Sequence, residues 1–460
     1  MDKLDAPALR NRIETFAQAQ AIGRWDLGAA SSNDSSVQVD RGEAKQMKAA
    51  QRSSITVRVW NGDGLVGITS TPDLSDSGLQ KALAGAQEAS AFGNPDDSPA
   101  FSPLATAPLQ PLEQPLHEPR GILELLTSLK DAERQLLDRH PALTTVPYNG
   151  LAERSSERIY LNSDGACRQQ QLTTASVYLY ARAEQAGRKP RSAGAVRLAY
   201  GASDLDIAGC ITEAADRTIA HLDYAPIHTG HYTCVFSPEA FLDLIGAFSS
   251  LFNARAVLDG VSLSSRSSLG QSLAVPFLSI ADNGLHPGNI GASSFDGEGT
   301  PTRRLSLVEG GVLQNFLHSE ATARAFGVAP TGHAGLGAKV SVGPDWFEIG
   351  ATPGAAGAAL GLDRHAASGQ GAAPGGGLVL IDSLSALHAG VKASQGSFSL
   401  PFDGWLLQGG EARSIEAATV AGDIRSLLKA IVGFEGEAKV TPDGLCPHVW
   451  VEGLSITGEA

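Results

Sequence analysis

FDGEGTPTRRLSLVEGGVLQNFL, residues 295–317, sets three carboxylates, two of them in its first four residues, and four glycines against a pair of apolar runs. The glycines and Pro301 exclude a helix over 296–301, while 303–308 and 312–317 read as a strand pair. In an extended loop Asp296 and Glu298, two residues apart, face the same way. There they can serve a cation, a peptide amine or only the loop's own amides.

Outward from this stretch the same turn-rich β character continues. Towards the C-terminus a helix is expected at 420–433, and towards the N-terminus strands at 276–281 and 231–236. A helix at 238–252 follows the latter strand, with Pro238 in its first turn. Residues 350–377 are mostly Gly, Ala, Pro and Ser, a composition expected of a mobile surface loop. Before Pro226 the pattern mixes helices and strands. Amphipathic helices are expected at 4–20, from Ser75 to 89 and from Gly121 to 137. Strands are expected at 36–40, 54–60 and 65–69, then as a hairpin of 158–162 with 166–181, and at 195–200; a helix follows at 205–222. Seven prolines between 94 and 119 exclude helix or central strand there. The organisation is therefore an N-terminal α+β unit at 1–93, a Pro-rich linker at 94–119, a second α+β unit at 120–226 and a C-terminal β-rich domain at 227–460.

Composition bounds the function. Of 460 residues 42% are apolar, enough for a large core, and 52 are glycine. Lys and Arg total 35 against 49 Asp and Glu, a formal charge of −14 that argues against a polyanion partner. The basic cluster Arg182, Arg188, Lys189, Arg191 and Arg197 reads as a solvated hairpin. No apolar stretch approaches the roughly 18 residues a membrane span needs. The four cysteines lie far apart, which suits a reducing compartment and a soluble, cytoplasmic, unprocessed protein.

Several motifs look chemical and dissolve on inspection. Gly62-Asp-Gly-Leu-Val-Gly67 spells a dinucleotide fingerprint, but no helix opens after it to hold a pyrophosphate, so a hairpin is expected. The run from Gly332 to Lys339 resembles a phosphate loop but has Val340 where Ser or Thr is needed. His228, His231 and Cys234 supply zinc-type ligands in a short span. In a strand, however, His231 and Cys234 point to opposite faces. Ser426-Leu-Leu-Lys429 matches a serine-lysine pair only at two positions within an apolar helix pattern. No Gly-x-Ser-x-Gly and no His-Glu-x-x-His string is present. From the residues alone, no nucleophile or metal site on this chain emerges.

The collinear order of motifs carries a resemblance. Phe295-Asp-x-Glu-Gly-x-Pro-Thr302 is followed by Leu307-Val-Glu-x-Gly-Val-Leu313, Thr322-Ala-Arg324 and Thr331-Gly-His-Ala334. Then come Gly396-Ser-Phe-Ser399, Gly404-Trp405, Gly410-Glu411, Val420-Ala-Gly-Asp-Ile424 and Leu454-Ser-Ile-Thr-Gly458. With Arg41-Gly-Glu43 and Gly67-Ile-Thr-Ser70, this resembles the TldD/PmbA family, also called modulator of DNA gyrase, along nearly the whole chain. One branch of that family, TldD, carries a His-Glu-x-x-x-His helix and a downstream Gly-x-Cys-Gly-Lys; the PmbA, or TldE, branch lacks both. The corresponding helix here reads Phe241-Leu-Asp-Leu-Ile-Gly-Ala-Phe-Ser-Ser, and Cys446 precedes Pro447-His448, so the chain resembles the PmbA branch. The resemblance implies an α+β fold with a C-terminal mixed, barrel-like β domain with helices. It further implies a subunit without cofactor in a cytosolic metallopeptidase system acting on unfolded peptides or peptide precursors. Its partner is either a TldD-type chain bearing a zinc-type metal or a second copy of itself. Asp296, Glu298, Gly299, Thr331, Gly332 and His333 are then expected to shape a substrate cavity. The alternatives are an independent hydrolase built on His228, His231 and Cys234, or a homodimeric peptide-binding scaffold.

Overall fold

The strands of the N-terminal half run far beyond the β-branched cores that signal them. In the computed structural model, which describes residues 4–94, 99–336, 340–354, 364–368 and 377–458, β1 (Arg24–Asp40) and β2 (Glu43–Trp60) form one long hairpin. The outer stretch of β2, residues 43–54, has no apolar alternation to announce it, because it is exposed or half-buried throughout and packs neither face. The turn places Arg41 and Gly42 at positive φ, 51° and 78°. Both turn amides donate to the carboxylate of Glu133, at 3.1 and 2.7 Å. With β3 (Val66–Thr71), β4 (Leu143–Asn162), β5 (Cys167–Ala183) and β6 (Arg191–Ala199) the hairpin makes a six-stranded antiparallel sheet in the order β3-β2-β1-β4-β5-β6. The Gly62 to Gly67 segment is thus the hairpin turn between β2 and β3.

Segments 1–93 and 120–226, expected as separate units, share this sheet, since β1 pairs with β2 on one side and β4 on the other. Helices α1 (Ala6–Ala19) and α2 (Asp76–Ser90) bury Leu9, Ile13 and Leu83 against Leu27, Val57 and Leu161 on one sheet face. Helix α3 (Ile122–Leu137) buries Leu125, Leu129 and Leu136, and α4 (Ile207–Ala220) follows β6. The Pro-rich segment has neither helix nor strand from 99 to 121. It is nevertheless tied down, since Trp60 Nε1 donates to the Pro99 carbonyl at 2.8 Å and Phe101 packs edge-on against Trp60. Residues 290–303 and 318–342, expected in the C-terminal domain, group with residues 1–219 in this first unit.

The second unit comprises residues 220–289, 304–317 and 343–460. Five of its strands close into a barrel. Gly230–Phe236 pairs with Leu378–Leu384, which pairs with Ser397–Gln408, then Ala418–Asp423, then Gly444–Gly458, which returns to Gly230–Phe236. Closure removes the free edges of these strands. The helix expected at 420–433 is instead the strand Ala418–Asp423, a short helix Ile424–Lys429 and the start of the strand Ile431–Thr441. Thr419 and Val420 are β-branched and pair into the barrel, and the Asp423 side chain caps the amides of Arg425 and Ser426. The Gly/Ala-rich run expected as a mobile loop lies largely outside the described residues, as do Gly337 to Lys339 of the phosphate-loop-like string. No helix among the described residues is long and apolar enough to cross a membrane.

Candidate functional site

The 295–302 loop is a tight turn, not an extended segment, so Asp296 and Glu298 do not act as a side-by-side pair. Gly299 sits at φ +75°, and a side chain there would collide with the ring of Tyr160. Asp296 folds back on backbone amides. Its Oδ1 accepts from Glu298 and Thr300 at 2.8 and 2.9 Å, and its Oδ2 accepts from Ala334 at 3.0 Å. Gly297 N donates to the Ala334 carbonyl, so the loop and the 331–334 turn are stitched together within the first unit. Gly332, at φ +86°, presses on the Pro301 carbonyl with no room for a Cβ. Thr331 Oγ1 accepts from His318 N at 2.7 Å and lies 2.9 Å from His333 Nδ1. Burial, aided by the neighbouring His333, lowers the His318 pKa to about 4, so this imidazole is neutral.

Glu298 points the other way, into a fully buried charge network. Its Oε1 lies 3.3 Å from Arg58 Nη1, and its Oε2 accepts from Glu320 N at 2.8 Å. Arg58 Nε also donates to Asp26 at 2.9 Å, and Tyr160 Oη donates to Asp26 Oδ2 at 3.0 Å. Asp26, Arg58 and Glu298 are all 0% exposed. One guanidinium thus serves two carboxylates. Burial would lower the Arg58 pKa, but Asp26 and then Glu298 outweigh it and hold the group above its ordinary value. Burial raises the Glu298 carboxyl to about 7; Arg58 opposes this and Asp296 adds to it. Burial, then Asp26, likewise raises the Tyr160 phenol. The structure therefore gathers Asp296, Glu298, Gly299, Thr331, Gly332 and His333 and adds three residues that motif reading passes over: Asp26, Arg58 and Tyr160. The signal for Arg58 is its place in Val57-Arg58-Val59-Trp60, where a charge inside a β-branched and aromatic run requires a buried partner. Chemically the cluster can hold a proton near neutral pH and fix three chain segments in place.

In the second unit, His228 and His231 are exposed while Cys234 is buried; His231 Nδ1 lies 3.1 Å from the Gly453 carbonyl. Burial pushes the Cys234 thiol far up. The three are not gathered as a ligand cluster among the described residues.

A closed barrel in one unit and, in the other, an α+β sheet with the 295–302 loop and 331–334 turn locked together define a class that the family comparisons name. Models described as PmbA/TldA metallopeptidase domain 1, central domain and C-terminal domain match residues 25–90, 117–222 and 229–458. The chain belongs to the PmbA/TldD metallopeptidase family. It is 22% identical over 426 residues to the metalloprotease PmbA of Escherichia coli O157:H7, covering 87% of each chain. In fold it matches a Thermotoga maritima protein named as a modulator of a DNA gyrase, with a TM-score of 0.85 and 23% identity over 98% of this chain and 100% of that one. It also matches TldE from Thermococcus kodakarensis, with a TM-score of 0.82 and 19% identity over 98% and 100%.

The metal that the family implies can be tested against the donors on the helix Pro238–Ala247 and at Cys446. Phe241, Leu242, Leu244 and Ile245 of the helix are buried, and the helix carries no histidine. Its polar positions are Glu239 and Asp243. Burial, then Asp443 and Glu239, raises the Asp243 carboxyl to about 6. Burial holds the Cys446 thiol well above its ordinary range. Carboxylates can ligate zinc, but this helix offers no imidazole beside them, and the Cys446 thiol is held protonated rather than as the thiolate that zinc takes.

Proposed function

We propose that the chain is the non-catalytic, PmbA/TldE-type subunit of a cytosolic TldD/TldE-type metallopeptidase system. It pairs with a TldD-type chain that carries the zinc-type metal, and the two enclose a chamber for unfolded peptides or peptide precursors. The observation that carries this reading is the helix Pro238–Ala247, which offers apolar side chains and carboxylates where the metal-bearing branch offers histidines. The buried, protonated Cys446 supports it, since a ligand thiol must be ionised. In this reading Asp296, Glu298, Gly299, Thr331, Gly332 and His333 shape the chamber through the backbone they brace. Mixing the purified chain with a TldD-type chain from the same source should give one complex on size exclusion and a peptidase activity that neither shows alone. Separate elution with no gain of activity would overturn the reading. Cleavage by this chain alone would replace it with an independent hydrolase.

A further inference from the structure

The sheet face that holds Asp26 at one end continues along β1 as an open surface at the other. Register pairs across antiparallel strands share a face. The rung Lys48–Ser36–Ala152–Ser176–Leu198 therefore crosses β2, β1, β4, β5 and β6 on one side of the sheet. The neighbouring rung places Asp34 beside Arg154 and Thr174, and Arg52 lies one rung farther. The helices pack on the opposite face, where Val37, Leu151 and Val177 are buried. What remains is a cleft of about 440 Å³, floored by small hydroxyl and methyl side chains and rimmed by Lys48, Arg52 and Arg154. Its volume lies within the range of small-ligand sites.

The charges are unbalanced. Asp34 is 3.5 Å from Arg154 and 3.9 Å from Arg52, and both guanidiniums are more than half exposed. At these distances neither fork makes a hydrogen bond to the carboxylate, so both keep N–H donors for a ligand. The Lys48 side chain has no partner among the described residues. Two rungs from Arg154, Tyr178 lies over Gly150, where a Cβ would collide with its ring, and packs against Tyr148, which also packs against Tyr180. Tyr148 is 60% and Tyr180 36% exposed. Aromatic anchors and arginine forks on one rigid surface are the residue types that dominate binding energy at interfaces.

We propose that this open face binds short acidic peptides in extended form, the tyrosines taking an apolar side chain and Arg52, Arg154 and Lys48 taking carboxylates. The spacing fits. Along β5, Tyr178 stands four residues from Thr174, the rung partner of Arg154, a span of about 14 Å that four residues of an extended ligand cover. Forked guanidinium donors match the two oxygens of a carboxylate. Taking a peptide as the ligand rests on the proposed function; the charge argument does not.

The test uses the full chain and a fluorescein-labelled heptapeptide of one leucine and alternating glutamates, with its glutamine counterpart as control, followed by fluorescence anisotropy. The acidic peptide should bind about tenfold tighter than the control, and Arg154→Gln and Arg52→Gln should each remove about that factor. Tyr148→Ala should weaken both peptides, and added salt should weaken only the acidic one. These side chains are exposed, so unchanged circular dichroism and melting temperature would establish folding. Equal binding of the two peptides, or affinities indifferent to both arginine variants, would overturn the proposal. Binding of inorganic phosphate through the same arginines with no binding of the peptide would overturn the peptide assignment. No TldD-type chain is needed for this measurement, so it can fail while partner-dependent cleavage succeeds, and the reverse.

Discussion

Glu298 shows how a residue in a Gly-rich loop acquires its character from what folds over it. Its carboxyl, ordinarily near 4.5, titrates at about 7 when buried. Between these values the folded chain holds a proton that the unfolded chain releases. The stabilisation is complete below pH 4.5 and is lost as pH rises towards 7, by on the order of 3 kcal/mol. Glu298→Gln keeps an acceptor for the Glu320 amide and removes the titrating group, so urea melts between pH 4.5 and 7 should flatten relative to the parent. Arg58→Met is the complementary case. It leaves Asp26 and Glu298 buried without their cation, and chemical denaturation should report a loss of about 3–5 kcal/mol.

Among the elements, the β1–β2 hairpin depends most on a distant side chain. The turn at Arg41 and Gly42 is held by Glu133 of α3, which satisfies two amides at once. Glu133→Ala should cost about 1–3 kcal/mol in equilibrium unfolding, because two part-buried hydrogen bonds to a carboxylate are lost. Hydrogen exchange should quicken first at Arg41 and Gly42, where the two bonds are lost. The barrel strand Ala418–Asp423 teaches the converse. Its sequence has the spacing of a helix, and pairing with strands on both sides overrides that local preference.

For the whole molecule, the chain leaves the first unit at 219 and returns to it at 290–303 and again at 318–342. The buried network closes only when the first return supplies Glu298. The proposed subunit role also makes a prediction about metal. Incubation with a chelator should leave the melting temperature unchanged, and elemental analysis after dialysis should find well under one equivalent of zinc. A chelator-sensitive melt with stoichiometric metal would count against the non-catalytic role.

The sequence by itself determined the α+β character, the helices of the N-terminal half, the hairpin at Gly62 to Gly67 and the family, because periodicity, turn chemistry and collinear motifs are local or ordered along the chain. It also marked Asp296, Glu298 and the 331–334 turn as a dense segment. Only the tertiary structure decided that 1–93 and 120–226 share one sheet, that five strands close into a barrel, and that Glu298 meets Arg58 across 240 residues of chain. Strand partners and buried ion pairs are long-range choices, set by which surfaces exclude water together. No spacing along the chain records them.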